Sequence, residues 1–127
     1  MDREIILAYA KEKYNSLPDY PWQKYPSFAV LRKSSKAVPH KHKWYALIMN
    51  ISKRKVGLNS DKCTDFLNVK CPPELIGSFI DYKTYFPAYH MNKEHWLTIL
   101  LDNVKIDKNV FNLIDTSYEL VYAYAKK

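Results

Sequence analysis

The sequence predicts an α+β domain, a two-layer α/β sandwich in which a five-stranded antiparallel sheet carries helices on one face, in the order α-β-β-β-α-β-β-α. Three observations lead there. Residues 95–102 alternate with period two: His95, Leu97, Ile99 and Leu101 fall on one face, Trp96, Thr98, Leu100 and Asp102 on the other, as in a central strand. Val110, Leu113, Ile114, Ser117, Tyr118 and Val121 recur instead at helical spacing. Finally, the first three strand candidates follow one another through polar turns, without the dozen-residue crossovers that parallel neighbours need, so they form an antiparallel meander.

Each element has its own local signal. Asp2 is an N-cap for a helix running to about Tyr14, with Ile5, Ile6, Tyr9 and Tyr14 on or near its buried stripe. Residues 17–26 contain three prolines and form an extended connector, whose Tyr20, Trp22 and Tyr25 cap an edge of the core. Residues 28–33 are the first strand and residues 44–51 the second. In the latter, Tyr45, Leu47, Met49 and Ile51 make the core face, opposite Trp44, Ala46, Ile48, Asn50 and Ser52. Residues 52–60 turn the chain and residues 65–70 form the third strand. Cys71-Pro-Pro-Glu74 opens a second helix, its prolines in the first turn where a missing N–H is harmless, with Leu75, Ile76, Phe79 and Ile80 as its stripe. Tyr89-His-Met91 reads as a short fourth strand, with Asn92-Lys-Glu94 as the reversal into the strand from His95. That hairpin would bring His90 and His95 face to face. Asp107 caps the last helix. Helices with single apolar stripes cover one sheet face and leave the other partly open to solvent.

At 127 residues the chain is one domain, residues 1–127, large enough to bury a core without staples. Two cysteines and no secretory signal point to reduced thiols in the cytoplasm, and no apolar run is long enough for a membrane span. Only two glycines occur and no phosphate-cradling glycine motif, which argues against a nucleotide-dependent enzyme. The net charge of +7 is unevenly spread: residues 31–70 hold ten bases against Asp61 and Asp65, and no acid falls between Asp19 and Asp61. A segregated excess of this kind makes a directional field that attracts polyanions. Arg32, Lys33, Lys36, Lys41 and Lys43 flank one hairpin loop, and Lys53, Arg54 and Lys55 sit in the next. Successive loops of a meander point to opposite ends of the sheet, so the two clusters need not form one patch.

Other chemistries are weaker. His40-Lys41-His42 puts two imidazoles on one side of an extended segment, but Lys41 and Lys43 oppose a cation, so no metal or cofactor is expected. Cys71 at a helix start, with His90 or His95 as base, is a thin case for a nucleophile, and Asp115, Ser117 and Glu119 do not converge as a triad at helical spacing. No enzyme is inferred.

His90-Met-Asn-Lys-Glu-His-Trp96, with Asn68-Val-Lys-Cys-Pro-Pro-Glu-Leu75 before it and Leu113-Ile-Asp-Thr-Ser-Tyr-Glu-Leu-Val121 after it, resembles the MmcQ/YjbR family of small bacterial proteins, over about residues 28–122. The resemblance implies a CyaY-like or secretion-chaperone-like two-layer fold with a "double wing" DNA-binding surface. Lys43-Trp-Tyr-Ala46 falls where the family has a Lys-Met-Phe-Ala type of strand start, and Ser117-Tyr118 matches the Ser-Tyr of its last helix. Two departures stand out: Ala88 at a place often held by glycine, and a longer, more basic loop over residues 34–42.

The expectation is a monomeric, non-enzymatic, DNA-binding protein. Its nucleic-acid contacts would be Lys41, Lys43, Trp44, Lys53, Arg54, Lys55, His90, Asn92, Lys93, His95 and Trp96, with the lysines and Arg54 on phosphates and an indole stacking on any unpaired base. For His90, Asn92 and His95 a hydrogen-bonded hairpin lock is the competing role. About five phosphate contacts would give a log-log salt slope near −4.5, a ~500-fold loss of affinity from 50 to 200 mM salt. The alternative is a protein-binding module, chaperone-like, that docks a partner chain on its open sheet face or edge.

Overall fold

The computed structural model describes residues 1–34 and 42–121. Helix α1 (Arg3–Tyr14) is followed by strands β1 (Ala29–Ser34), β2 (His42–Ser52) and β3 (Cys63–Lys70), helix α2 (Pro73–Phe79), strands β4 (Tyr85–Pro87) and β5 (Trp96–Leu100), and helix α3 (Asp107–Leu120). Every strand pairing is antiparallel and the sheet order is β1-β2-β3-β5-β4. The fold class and the order of elements are those the sequence predicts.

One core lies between the sheet and the helices. Ile6 and Ala10 of α1, Ile76 of α2 and Val110, Leu113 and Ile114 of α3 pack on Ala29, Leu31, Ala46, Ile48, Leu67, Val69, Leu97 and Ile99. Asp2 caps α1 by accepting the Ile5 N–H at 3.1 Å. Two ion networks then fix α1. Arg3 grips Asp65 of β3 at 2.7 and 2.8 Å, and Lys13, Tyr9 and Tyr14 all donate to Asp115 of α3 at 2.5–2.9 Å. Burial pushes both carboxyls up, but these donors more than offset it and hold each below the usual carboxylate range.

The second sheet face departs from expectation. It is not open: Leu47, Met49, Ile51, Phe66, Phe86 and Leu100 are buried there, packed with Trp22 of the connector, Phe28 just before β1, Val56 and Leu58 after β2, and Tyr89 after β4. Loops, not helices, supply this cover. The second strand is apolar on both sides because both sides are buried. Its predicted core face, Tyr45 with Leu47, Met49 and Ile51, is split by a bulge: Leu31 pairs with Ala46 and Arg32 with Trp44, so Tyr45 is skipped and turns toward α3.

Smaller corrections follow from geometry. The fourth strand is Tyr85–Pro87, not residues 89–91, so His90 sits in the loop beyond it and does not face His95 across paired strands. Leu75 and Ile5 are exposed, since Ile76 and Ile6 alone take the inward positions of their turns. Asp107 is the first residue of α3 rather than its cap; Ile106 holds that place, with no side-chain cap.

Candidate cationic cleft at one end of the sheet

The antiparallel register sorts the basic residues into two groups. Lys43 lies at the start of β2 and Lys53 just past its end, on the order of 30 Å apart at the rise of an extended strand. Opposite Lys43 stands Lys33, and the end of β3, Lys70, pairs with the start of β5, Trp96. The loop of residues 88–95 joins β4 to β5 at this same end. Lys43, Trp44, Asn92, Lys93, His95 and Trp96 are therefore brought to one end of the sheet, together with His90, whereas Lys53, Arg54 and Lys55 are at the other. Lys41 lies outside the described residues.

The far end is charge-mixed. Lys53, Arg54 and Lys55 form a 3-10 turn that closes at Gly57, where φ is +94°, and Arg54 is ion-paired with Asp61. Asp65 and Asp102 lie nearby, held by Arg3 and by Thr64. The near end holds a shallow, open cleft of about 410 Å³, lined by Lys43, Trp44, Lys70, Trp96 and Val121. Lys70 is half-buried in it. Burial, and then the neighbouring charge of Lys43, hold its ammonium below the usual lysine range. Its side chain makes no ion pair or hydrogen bond among the described residues. Glu74 and Glu94 stand at this end too, and neither is ion-paired with Lys70 or Lys93.

The two indoles wall the cleft, and both have packing partners of their own. Trp96 is 7% exposed. Trp44 carries the edge of Trp22 at 5.4 Å and the Arg32 guanidinium at 5.7 Å. Lys70 was the residue that sequence reasoning missed. It shares a face with Phe66 and Asn68, but its place beside Trp96 and Lys43 becomes visible only once the register of three strands is known.

The loop of residues 88–95 is locked as a unit. Asn92 Oδ1 accepts the Glu94 N–H at 2.8 Å, while its carbonyl accepts from His95 and Trp96. The His95 carbonyl accepts the Cys71 N–H at 2.9 Å, and Lys93 Nζ donates to the Ala88 carbonyl at 2.8 Å. Ala88 is buried with ordinary backbone; the left-handed position is His90, at φ +65°. His90→Val is expected to destabilise the protein by about 1–2 kcal/mol, because a β-branched side chain resists that region, whereas His90→Gly should stay within about 0.5 kcal/mol of the parent. Urea unfolding distinguishes them, and equal midpoints for Val and His would refute the strain.

For the other chemistries, Cys71 is buried, and desolvation and then Glu74 push its thiol up, away from a reactive thiolate. Asp115 and Ser117 serve different partners, the α1 side chains and the strand backbone respectively. Among the described residues no group of three or more His, Cys, Asp or Glu could hold a metal ion, and no helix is long and apolar enough to cross a membrane.

The fold is a five-stranded antiparallel sheet with three helices packed on one face, the last of them anchored to the strands by Ser117. The YjbR family model matches residues 11–120, and the chain belongs to that family. Among its relatives, the uncharacterized protein YyaQ of Bacillus subtilis is 43% identical over 120 residues, covering 94% of this chain and 98% of YyaQ. A crystal structure of a Pseudomonas syringae protein superposes with a TM-score of 0.86 at 44% identity, covering 94% of this chain and 98% of that one. The Deinococcus radiodurans protein DR2400 shares the fold at a TM-score of 0.71 and 23% identity, covering 95% of this chain and 78% of its own.

Proposed function

We propose that this protein binds nucleic acid, DNA in the first instance, without catalysing a reaction, through phosphate contacts at the end of the sheet where Lys43 and Lys70 line the cleft with Trp44 and Trp96 and the adjoining loop carries Lys93. The observation that carries this reading is Lys70: a half-buried ammonium beside a second lysine, with no carboxylate partner among the described residues. Bringing like charges together in a desolvated cleft lowers stability, and an incoming anion would relieve that cost. The far basic turn, with Arg54 already paired, is not part of the site. Three phosphate contacts at one end, rather than five spread over two, would give a log-log salt slope near −2.7 on duplex DNA, a ~40-fold loss of affinity between 50 and 200 mM salt.

The protein-docking alternative has less to support it. The central residues of the second sheet face are buried, and each edge strand is partly occupied. Asp19 exchanges two backbone hydrogen bonds with Val30 of β1. The N–H groups of Asp81 and Tyr82 donate to the Tyr85 carbonyl of β4, whose own N–H is taken by the Asp81 carboxylate.

Fluorescence anisotropy with duplex and single-stranded oligonucleotides at low salt tests the proposal. Lys43→Glu/Lys70→Glu should weaken binding at least 100-fold, while Lys53→Glu/Lys55→Glu should change it by less than about threefold. No binding by the parent at low salt, or the reverse ranking of the two variants, would overturn it. Lys70→Met should weaken binding yet raise the unfolding free energy by about 0.5–1 kcal/mol, since it removes a desolvated charge and keeps the packed stem.

A further inference from the structure

Resting on the nucleic-acid reading only for its consequence, we infer that Lys70 is a modification site. Its side chain takes an acyl group from a small acyl phosphate in preference to the exposed lysines, and the resulting amide removes a cation that the cleft presents to nucleic acid. Three observations converge on this amine. First, its nitrogen is uncommitted. Lys13 is bonded to Asp115, Lys33 to the Tyr118 carbonyl and Lys93 to the Ala88 carbonyl, and each of those bonds must break before the nitrogen can act as a nucleophile. Lys70 Nζ has no hydrogen bond or ion pair among the described residues, and Glu74 and Glu94, the carboxylates at this end of the sheet, are not paired with it. Second, Lys70 is half-buried in a cleft that it shares with Trp44, Trp96 and Val121, whereas Lys55, Lys62 and Lys83 are exposed. Desolvation, and then the charge of Lys43, hold Lys70 below the usual lysine range, so more of it is the free amine that attacks a carbonyl. Third, the side chain is firmly mounted yet reachable. The Lys70 N–H donates to Ser117 Oγ at 2.8 Å and Lys70 pairs with Trp96 of β5, so the stem starts from a fixed point. The cleft is shallow and open, which admits a small reagent where a closed cavity would shut it out.

The chemistry needs no further reactant. As the free amine, the Lys70 nitrogen adds to the acyl carbonyl carbon. The C–N bond forms as the acyl C–O bond breaks, the electron pair of that bond leaves with phosphate, and the nitrogen gives up one proton to water. A cationic side chain becomes a neutral amide, so each event removes one positive charge from the cleft.

The test treats the full chain with acetyl phosphate at low conversion and reads each site by peptide mass spectrometry between about pH 6.5 and about pH 9. At neutral pH Lys70 is expected to react at least about fivefold faster than Lys55 and Lys62, and the advantage should narrow as the pH approaches about 10, where lysines in general lose their protons. Excess duplex oligonucleotide should slow the reaction at Lys70 and leave Lys55 and Lys62 unaffected, and affinity for the oligonucleotide should fall in step with the fraction of Lys70 modified. A rate at Lys70 no greater than at the exposed lysines would overturn the inference, whatever the protein binds. Preferential reaction at Lys70 in a protein that binds no oligonucleotide would overturn the nucleic-acid reading and leave the modification site standing. Preferential reaction with affinity unchanged would refute both the loss of binding on modification and the placing of a phosphate on Lys70.

Discussion

Ser117→Val is expected to lower the unfolding free energy by about 2–4 kcal/mol, because it strands two backbone groups at once. Ala46 pairs with Val69, so in an unbroken ladder Tyr45 would stand opposite Lys70 and exchange hydrogen bonds with it. The β2–β3 ladder ends at Ala46–Val69, one residue short of that pair, where β2 bulges against β1. The Ser117 hydroxyl takes up the slack, donating to the Tyr45 carbonyl at 2.5 Å and accepting the Lys70 N–H at 2.8 Å, with no solvent exposure. Each backbone group left unpaired costs about 1–3 kcal/mol, and water cannot reach a fully buried site to replace the hydroxyl. Ser117→Thr keeps the donor and acceptor and adds one methyl group, so it should cost only about 1 kcal/mol of overpacking. Guanidinium unfolding of the three proteins provides the comparison. A loss below 1 kcal/mol for the valine variant would mean that the end of the β2–β3 ladder does not depend on the serine bridge. The same bridge ties α3 to the backbone of Lys70, so the serine also steadies one wall of the cationic cleft.

That bridge illustrates where the sequence is readable and where it is not. Ser117 is visibly on the buried stripe of α3, at helical spacing from Val110, Leu113 and Ile114, and a small polar residue there signals a backbone partner without naming it. The bulge at Tyr45 leaves no trace in residue order, because alternation along one strand says nothing of the count on its neighbour. Tyr85–Pro87 is too short for periodicity to register, and its proline argues against a strand until its edge position is known. The apolar character of both sides of β2, from Ala46 and Ile48 on one to Leu47 and Met49 on the other, did signal burial on both faces. Helix count alone pointed to one, since covering loops carry no stripe. For the candidate site, Lys43, Trp44, Lys93 and Trp96 could be nominated from charge and motif. Separating them from Lys53 and Arg54 required only the alternation of hairpin ends, but adding Lys70 required the β3–β5 register.

Asn68→Asp is expected to convert a silent position into a strongly pH-dependent one. Asn68 is fully buried in β3 beneath the loop of residues 88–95: its Nδ2 donates to the Tyr89 carbonyl at 2.9 Å, its Oδ1 accepts from the Thr98 hydroxyl, and Thr98 in turn accepts the Tyr89 N–H at 2.9 Å. This closed circuit satisfies every group in it and holds the loop on the second sheet face. An aspartic acid can reproduce it only when protonated, with its O–H donating toward Tyr89; the ionised form would set two acceptors against each other with no water between. The folded variant therefore keeps its proton above the ~3.9 at which the unfolded chain releases it. Between those two pKa values the native state binds more protons than the unfolded state, so stability falls as pH rises, by about 1.4 kcal/mol per pH unit. Relative to the parent at each pH, the variant should be close to neutral near pH 4 and lose about 4 kcal/mol by pH 7. The parent must be measured alongside because Asp65 and Asp115, held below the usual carboxylate range, make it lose stability of its own accord as the pH falls through their pKa values. A pH-independent difference between the two proteins would show that solvent reaches position 68 and that the loop is not sealed over the sheet. Amide exchange at Tyr89 offers the local readout: it should accelerate in the variant at neutral pH and slow toward the parent's rate in acid, with proper allowance for intrinsic exchange, if this circuit is what keeps the loop closed.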